Sequence, residues 1–284
     1  MAVKFGFSYG AVAGMELAAA AALAKRLGFE GIELGGIADD GSLSLLLRNA
    51  EATKKTLDEA DMRVCVLATT ICLHHADEAR WQRAKLLIKR AVEMAVYFGA
   101  PVVRVLGHEV RRGEGRSAVI GRIGAHLREA AEDAVEYAKE SGAKQAVSIA
   151  LQNGGTGGSF VNAKEMWMMT EVAGHPRAGI YWDVAEAALV KESPGLSVPT
   201  LNSRMHAVRI WDHHHGERKA VPLGEGDVKG QLFADRLRGI GYGGWVVYGP
   251  PADPANAEAE KMLETAAATL RKWIGIQDSV EAVT

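Results

Sequence analysis

The chain has 284 residues, 48% of them hydrophobic, 24% charged and 6% aromatic, a balance that excludes disorder for the bulk of it and leaves room for one α/β barrel or two small domains. Its 33 Lys and Arg stand against 35 Asp and Glu, a formal charge of -2, and no local basic patch stands out, so no nucleic-acid partner is expected. No apolar run approaches the roughly 20 residues that span a bilayer, and MAVKFGFSYG does not read as a signal peptide, which together suggest a cytoplasmic protein with no membrane partner. Cys65 and Cys72 share one apolar stretch at no zinc spacing and are expected to be core thiols.

In chain order, β-branched or apolar runs at 3–9, 30–34, 63–71, 101–107, 145–151, 178–183, 205–211 and 244–248 predict strands. Between most of them lie segments with apolar residues three and four apart, at 14–28, 43–61, 77–99, 117–142, 162–174, 228–240 and 255–274, which predict amphipathic helices. The connection with Pro194 and Pro199, between the sixth and seventh runs, reads as helix-poor. Gly28, Gly99, Gly142 and Gly241 each sit between a helical segment and the next strand, where a left-handed residue stops the helix. Strands that alternate with helices run parallel, and eight such units match a single (β/α)8 TIM barrel occupying 1–284 as one domain. An open doubly wound sheet is the alternative, disfavoured because no GxGxxG follows an early strand and no Walker-type loop is present.

In a parallel barrel the chemistry gathers where the strands end. The ends here carry Ser8 and Tyr9, Glu33, Thr69 to Cys72 with His74 and His75, Gly107, His108 and Glu109, then Gln152 and Asn153. The later ends carry Asp183 and Glu186, Arg209, Trp211, Asp212 and His213 to His215, and Tyr248 with Gly249. Polar residues at strand ends are also ordinary loop residues, so this ring by itself leaves binding and structural roles both open. The glycine-rich NGGTGG at 153–158 lacks a P-loop Lys and reads as a loop or lid.

The succession GFEGIEL, WQRAKLLIKRAVEMAVYFGAPVVRVLG, IALQNGG, YWDVAEAAL, HAVRIWD, VPLGEGD and GYGGWVVYG resembles the xylose-isomerase-like sugar phosphate isomerase/epimerase superfamily across nearly the whole chain. VPLGEGD at 221–227 and GYGGW at 241–245 carry the resemblance most specifically. It implies a TIM barrel, chemistry on small hydroxylated substrates around a divalent metal, and in many members a homo-oligomer. It also implies a metal-binding Glu, Asp, His and Glu at the ends of strands five to eight. Position by position this chain offers Gln152, Asp183, Arg209 and Gly249 instead, with Glu186 where a His usually follows the Asp. A neutral amide, a missing side chain and a permanent cation make a poor divalent site, so the metal site reads as degenerate and no cofactor is expected.

Three readings follow. In the first, an isomerase- or epimerase-like barrel, or a lyase, acts on a small polyhydroxylated or keto-acid substrate without metal. Arg209, Asp183, Glu186 and His108 are then the catalytic candidates, with Gln152, Asn153, Tyr9, His74, Trp211, His213 and Tyr248 on the carbohydrate-like ligand. Arg209, held by Asp183, would offer its guanidinium to developing negative charge, and His74, His108, Glu109, Glu186 or a loop histidine would move protons. In the second, a pseudoenzyme keeps the ligand site and has lost the chemistry. In the third, Mn, Mg or Zn binds at a relocated site built from His213, His214, His215 and Glu217, with His108 or His74.

Overall fold

A computed structural model of the chain describes residues 2–12, 14–107, 113–144, 146–154, 162–214, 217–253 and 258–275. The strands are β1 (Lys4–Ser8), β2 (Gly31–Gly35), β3 (Arg63–Cys72), β4 (Val102–Leu106), β5 (Ser148–Gln152), β6 (Ala178–Asp183), β7 (Met205–Ile210), β8 (Asp212–His213), β9 (Ala220–Val221) and β10 (Trp245–Tyr248). Eight of them close a parallel barrel in the order β1-β10-β7-β6-β5-β4-β3-β2. The short β8 and β9 pair antiparallel as a separate two-stranded sheet beyond the barrel. The helices are α1 (Leu17–Arg26), α2 (Leu45–Arg48), α3 (Ala50–Glu59), α4 (Glu78–Phe98), α5 (Arg116–Glu140), α6 (Ala163–Ala173), α7 (Val184–Leu189), α8 (Pro194–Leu201), α9 (Gly230–Gly239) and α10 (Ala259–Ile274).

Alternation along the strands sorts side chains to two cores. Ile149, Leu151, Ile180, Trp182, Val208, Ile210 and Val246 belong to the larger core, together with buried helix residues such as Ile88, Val92, Ile123 and Leu127. Cys65, Val66, Val102, Ala150, Tyr181, Ala207, Trp245 and Val247 form a second cluster inside the barrel. Glycine makes room for it: a Cβ on Gly31 would stand 2.7 Å from the Trp245 ring. Above this apolar floor the inward positions turn charged.

The four glycine stops hold, with φ of +82° at Gly28, +71° at Gly99, +68° at Gly142 and +67° at Gly241. After Gly99 the chain enters β4 through Pro101, just before the first paired residue, where its missing amide hydrogen leaves the ladder intact. Two expectations need correction. The connection between β6 and β7 is not helix-poor but holds α7 and α8, because Asp183 caps the first and Ser193 caps the second with Pro194 in its opening turn. Proline is tolerated there, since the first amides of a helix have no internal partner. The segment 43–61 is two helices, divided at Asn49.

Candidate functional site

At the C-terminal end of the barrel a pocket of about 380 Å³ has Gln152, Asp183, Arg209 and Arg104 in its lining, with Glu186, Arg218, Asp39, Thr70, Cys72, Leu106, Trp211 and Pro251. Asp183 is its centre. It ends β6 and caps α7, so its backbone belongs to the barrel while Oδ1 accepts the Glu186 amide at 3.1 Å and the Trp211 indole Nε1–H at 3.1 Å. Oδ2 accepts the Gln152 amide at 3.2 Å and lies 3.5 Å from Arg209 Nε. Adjacent registers bring these groups together, because Asp183 pairs with Arg209 across β6 and β7 and Tyr181 pairs with Gln152 across β5 and β6.

Arg209 also donates through Nε to the Gly249 carbonyl and through Nη2 to the Pro250 carbonyl at 3.2 Å. A second arginine, Arg104, projects from the middle of β4, donating to the Gln152 side-chain oxygen and to the Thr69 carbonyl at 2.9 Å. Its Nε is buried without a hydrogen-bond partner. Glu33, almost fully buried at 3% exposure, accepts the Tyr181 hydroxyl. The barrel therefore holds two carboxylates, Glu33 and Asp183, against two guanidinium groups.

These neighbours set the protonation behaviour. Burial raises the Asp183 carboxyl above its ordinary range, with the Arg209 charge pulling the other way. Burial also opposes the Arg209 charge, but Asp183 and Glu33 outweigh it and hold that guanidinium above its usual pKa. Burial moves the Arg104 guanidinium down, with the Glu33 charge pulling the other way and the Arg209 charge adding to the fall. Glu186 stands in the first turn of α7, where burial and then the Asp183 charge push its carboxyl up to about 6 despite an ion pair to Arg218 at 2.8 Å. Gly154, at φ +76°, leaves space for it, since a Cβ there would approach Glu186 Oε2 to 2.8 Å. Burial and the nearby Asp39 push the Cys72 thiol up to about 12, so it is a neutral wall rather than a nucleophile.

Of the residues singled out from sequence, Arg209, Asp183, Glu186, Gln152 and Trp211 meet in this pocket, with Thr70 and Cys72 from the end of β3. His108 and Glu109 lie outside the described residues, as do His215 and most of NGGTGG. Five other candidates, Asn153, Tyr9, His74, Tyr248 and His213, are not among the residues that line it. Asn153 is fully buried and ties itself to the Asp183 backbone, donating Nδ2–H to its carbonyl at 2.9 Å and accepting its amide N–H, so it braces the site without lining it. Tyr9 donates to the Met15 carbonyl within its own turn. His74 packs 4.7 Å from the His75 ring outside the pocket lining. Tyr248 falls on the outer side of β10, opposite in parity to Val247, and is buried in the outer core.

His213 is also corrected. It is buried at 1% exposure with Nδ1 facing the His214 carbonyl at 3.0 Å and Nε2 facing the Ala185 carbonyl at 3.1 Å, so neither nitrogen turns toward the pocket or a metal. Asp212, which the strand-end reading placed at the mouth, instead accepts the amides of His213, Gly224, Gly226 and Val228 at 2.9–3.1 Å and anchors VPLGEGD. Arg104 and Asp39 were missed because only strand ends were considered. The signal for Arg104 was available: a cation inside the apolar run VVRVL, as Arg209 is inside VRI.

A divalent metal does not fit this set of donors. Both Asp183 oxygens are taken, Arg104 occupies the Gln152 oxygen, and Arg209 lies in the space a side chain at 249 would need. Among the described residues no three His, Cys, Asp or Glu gather as a metal-holding group, and no helix is long and apolar enough to cross a membrane.

Comparison with proteins of curated function finds no significant match. Among solved structures the fold is similar to that of an L-ribulose 3-epimerase, with TM-score 0.78 and 16% identity over 96% of this chain and 95% of that one. It is likewise similar to the IolI protein with a zinc atom bound, with TM-score 0.80 and 15% identity over 98% and 100%, and to 3-keto-D-glucoside 4-epimerase YcjR from E. coli, with TM-score 0.75 and 18% identity over 95% and 99%. At these identities the likeness is one of fold. A sequence profile of the xylose isomerase-like TIM barrel matches residues 21–273, and the chain belongs to that family.

Proposed function

We propose that this barrel is a sugar isomerase- or epimerase-like enzyme that moves a proton next to the carbonyl of a small polyhydroxylated or keto-acid substrate without the divalent metal of its family. The observation that carries this reading is the Arg209 guanidinium, fixed by Asp183 and two carbonyls inside the pocket beside a carboxyl whose pKa is about 6. A carboxylate at Glu186 takes the proton from the carbon next to the carbonyl. The electron pair forms the carbon–carbon double bond and moves the carbonyl π pair onto oxygen, and the resulting enediolate is balanced by Arg209 and Arg104. Reprotonation of carbon closes the cycle. A pKa near 6 leaves Glu186 ionised at neutral pH yet basic enough to accept the proton.

Asp39 extends this reading to epimerisation. It follows β2, four places from β6 around the eight-stranded ring, so Asp39 and Glu186 line the pocket from opposite sides. Inverting a carbon needs a proton removed from one face and returned to the other. His108, outside the described residues, stays a further acid–base candidate.

The pseudoenzyme reading is favoured by one observation: both carboxylate oxygens of Asp183 already accept hydrogen bonds from the protein's own groups. Hydrogen–deuterium exchange separates the readings. The protein, treated with chelator, is incubated in D2O with a panel of aldoses, ketoses and 2-keto sugar acids, and carbon-bound deuterium is followed by NMR. Exchange that survives chelation and falls at least a hundredfold in Glu186→Gln supports the proposal. Ligand-induced stabilisation with no exchange establishes the pseudoenzyme, and exchange abolished by chelator and restored by Mn, Mg or Zn establishes a metal elsewhere.

A further inference from the structure

The opposite end of the barrel carries a pocket of about 440 Å³, larger than the one at the mouth. Lys4 opens β1, Arg63 opens β3, Arg177 precedes β6 and His206 lies on β7, and all four line it. No carboxylate is among its described lining residues. Nor does Lys4, Arg63 or Arg177 enter an ion pair among the described residues: Asp61, which feels the Arg63 charge, is bonded to Lys25. In a chain whose formal charge is -2, three like charges converge on one concavity with no carboxylate in its described lining.

The rest of the lining is built to match. The His206 ring lies flat on Gly179, whose Cβ, if it had one, would stand 2.4 Å from the ring, so glycine is what lets the imidazole cross to this pocket. Nδ1 of that ring is buried without a hydrogen-bond partner. Lys4 rides over the Trp245 ring, 5.5 Å from its centroid, and Ser148 adds a hydroxyl. Burial first, and then the charges of Arg177 and Arg204, hold the His206 imidazole down to about 4.

We propose that this N-terminal pocket binds a multiply charged oxyanion, a phosphate group, on Lys4, Arg63, Arg177 and His206. Arginine pairs phosphate in planar, two-point fashion and lysine supplies a mobile point charge. The bound anion neutralises the convergent cations, and because it holds residues at or beside the starts of β1, β3, β6 and β7, it ties the base of the barrel together. The volume admits either free phosphate or the phosphate end of a small ester. The site is distinct from the mouth and independent of the reaction proposed there.

The test uses the full chain at pH 7.5 and constant ionic strength. Inorganic phosphate and, separately, glycerol phosphate are titrated, and binding is read both as a melting-temperature shift and by equilibrium dialysis. A saturable shift with one ligand per chain is expected, because a ligand specific for the folded state stabilises it in proportion to the logarithm of its concentration above Kd. Arg63→Gln/Arg177→Gln, on exposed side chains, should fold and bind at least tenfold more weakly, while Arg209→Met at the mouth should bind as the wild type does. The tighter of the two probes identifies free phosphate or an ester as the natural form. An unsaturable response that sodium chloride reproduces, binding unchanged in the double variant, or binding lost in Arg209→Met overturns the proposal.

Discussion

Arg209 occupies the room that any side chain at position 249 would require: a Cβ on Gly249 would lie 2.8 Å from Arg209 Nε and 3.3 Å from its Cγ and Cδ. The two positions are therefore coupled, since the missing side chain at 249 is what gives Arg209 its room beside Asp183. Gly249→Ala must push the middle of the Arg209 side chain off Asp183, since the clashing atoms are not its free end. Overpacking of this kind costs about 1–3 kcal/mol. The expected result is a destabilised protein with ligand affinity reduced about tenfold or more, as loss of a charge-assisted hydrogen bond implies. Arg209→Met should lose the affinity too, and adding Gly249→Ala to it should have little further effect on binding. Additive losses in a double-mutant cycle would show the positions to be independent.

Glu186 gives a pH dependence with a definite sign. Its carboxyl rises from an ordinary 4.5 to about 6 in the fold, so the folded protein holds this proton more tightly than the unfolded chain. Stability contributed by the protonated group is fully present below 4.5 and is lost as pH rises to about 6. At 1.36 kcal/mol per pKa unit the loss is on the order of 2 kcal/mol. Glu186→Gln removes this penalty but also the Arg218 pair, so it should stabilise the protein at pH 7.5 relative to its effect at pH 4.5 by up to about 2 kcal/mol. Denaturant unfolding at the two pH values measures this, and an identical change at both would contradict the raised pKa.

The activity profile follows from the same group. As a base Glu186 must be ionised, so exchange rates should climb through pH 6 and then level. Arg218 is exposed and lowers the Glu186 pKa only in part, and Arg218→Gln should move that climb upward by a fraction of a unit without abolishing the rate. An unchanged profile would place the titrating group elsewhere.

Asp39 and Glu186 divide the labour between two faces in the proposed reaction. Asp39→Asn should then suppress net epimerisation at least a hundredfold while sparing exchange at the face served by Glu186. Parallel NMR assays of deuterium entry and product formation distinguish the two, and equal loss of both would place Asp39 in binding rather than proton transfer.

How far the sequence could be read depended on what each signal measures. Apolar, β-branched runs located all eight barrel strands because each strand is buried on both faces, with inward and outward side chains in alternation, and the glycine stops followed from backbone sterics alone. The same alternation carried Tyr248 outward, yet taking strand ends as one group concealed its parity. His213 was misplaced for another reason: after Ile210 the chain enters the β8–β9 pairing, a long-range contact between 212–213 and 220–221 that no local pattern announces. Arg104 and Arg209 share one signal, a charge within an apolar strand, and only the second fell near a strand end. The pairing of Gln152, Asp183 and Arg209 was foreseeable from their strand-end positions. That Asp39 and Glu186 stand opposite each other required the closed ring.

Asp212 should prove to be the structural keystone of the loop that carries the family's VPLGEGD signature. Its side chain is wholly buried, yet its two oxygens accept four backbone amides: Oδ1 from His213 at 2.9 Å and Val228 at 3.1 Å, Oδ2 from Gly224 at 2.9 Å and Gly226 at 3.1 Å. Gly226 comes so near that a Cβ there would stand 2.2 Å from Oδ1, so both the glycine and the carboxylate are fixed by the same contact. Asparagine is nearly isosteric, but its NH2 end would confront two amide donors with no acceptor, and the remaining bonds would lose their charge assistance. Each charge-assisted bond is worth about 1.5–3 kcal/mol, so Asp212→Asn should cost about 3 kcal/mol or more. For a chain of this size that lowers the melting temperature by roughly 6–12 °C. Glu225→Gln, exposed in the same motif, should leave it within about 2 °C of wild type, as surface changes usually do. If instead Asp212→Asn melts with the wild type while abolishing exchange, the aspartate works on the ligand and the signature belongs to the chemistry of the mouth.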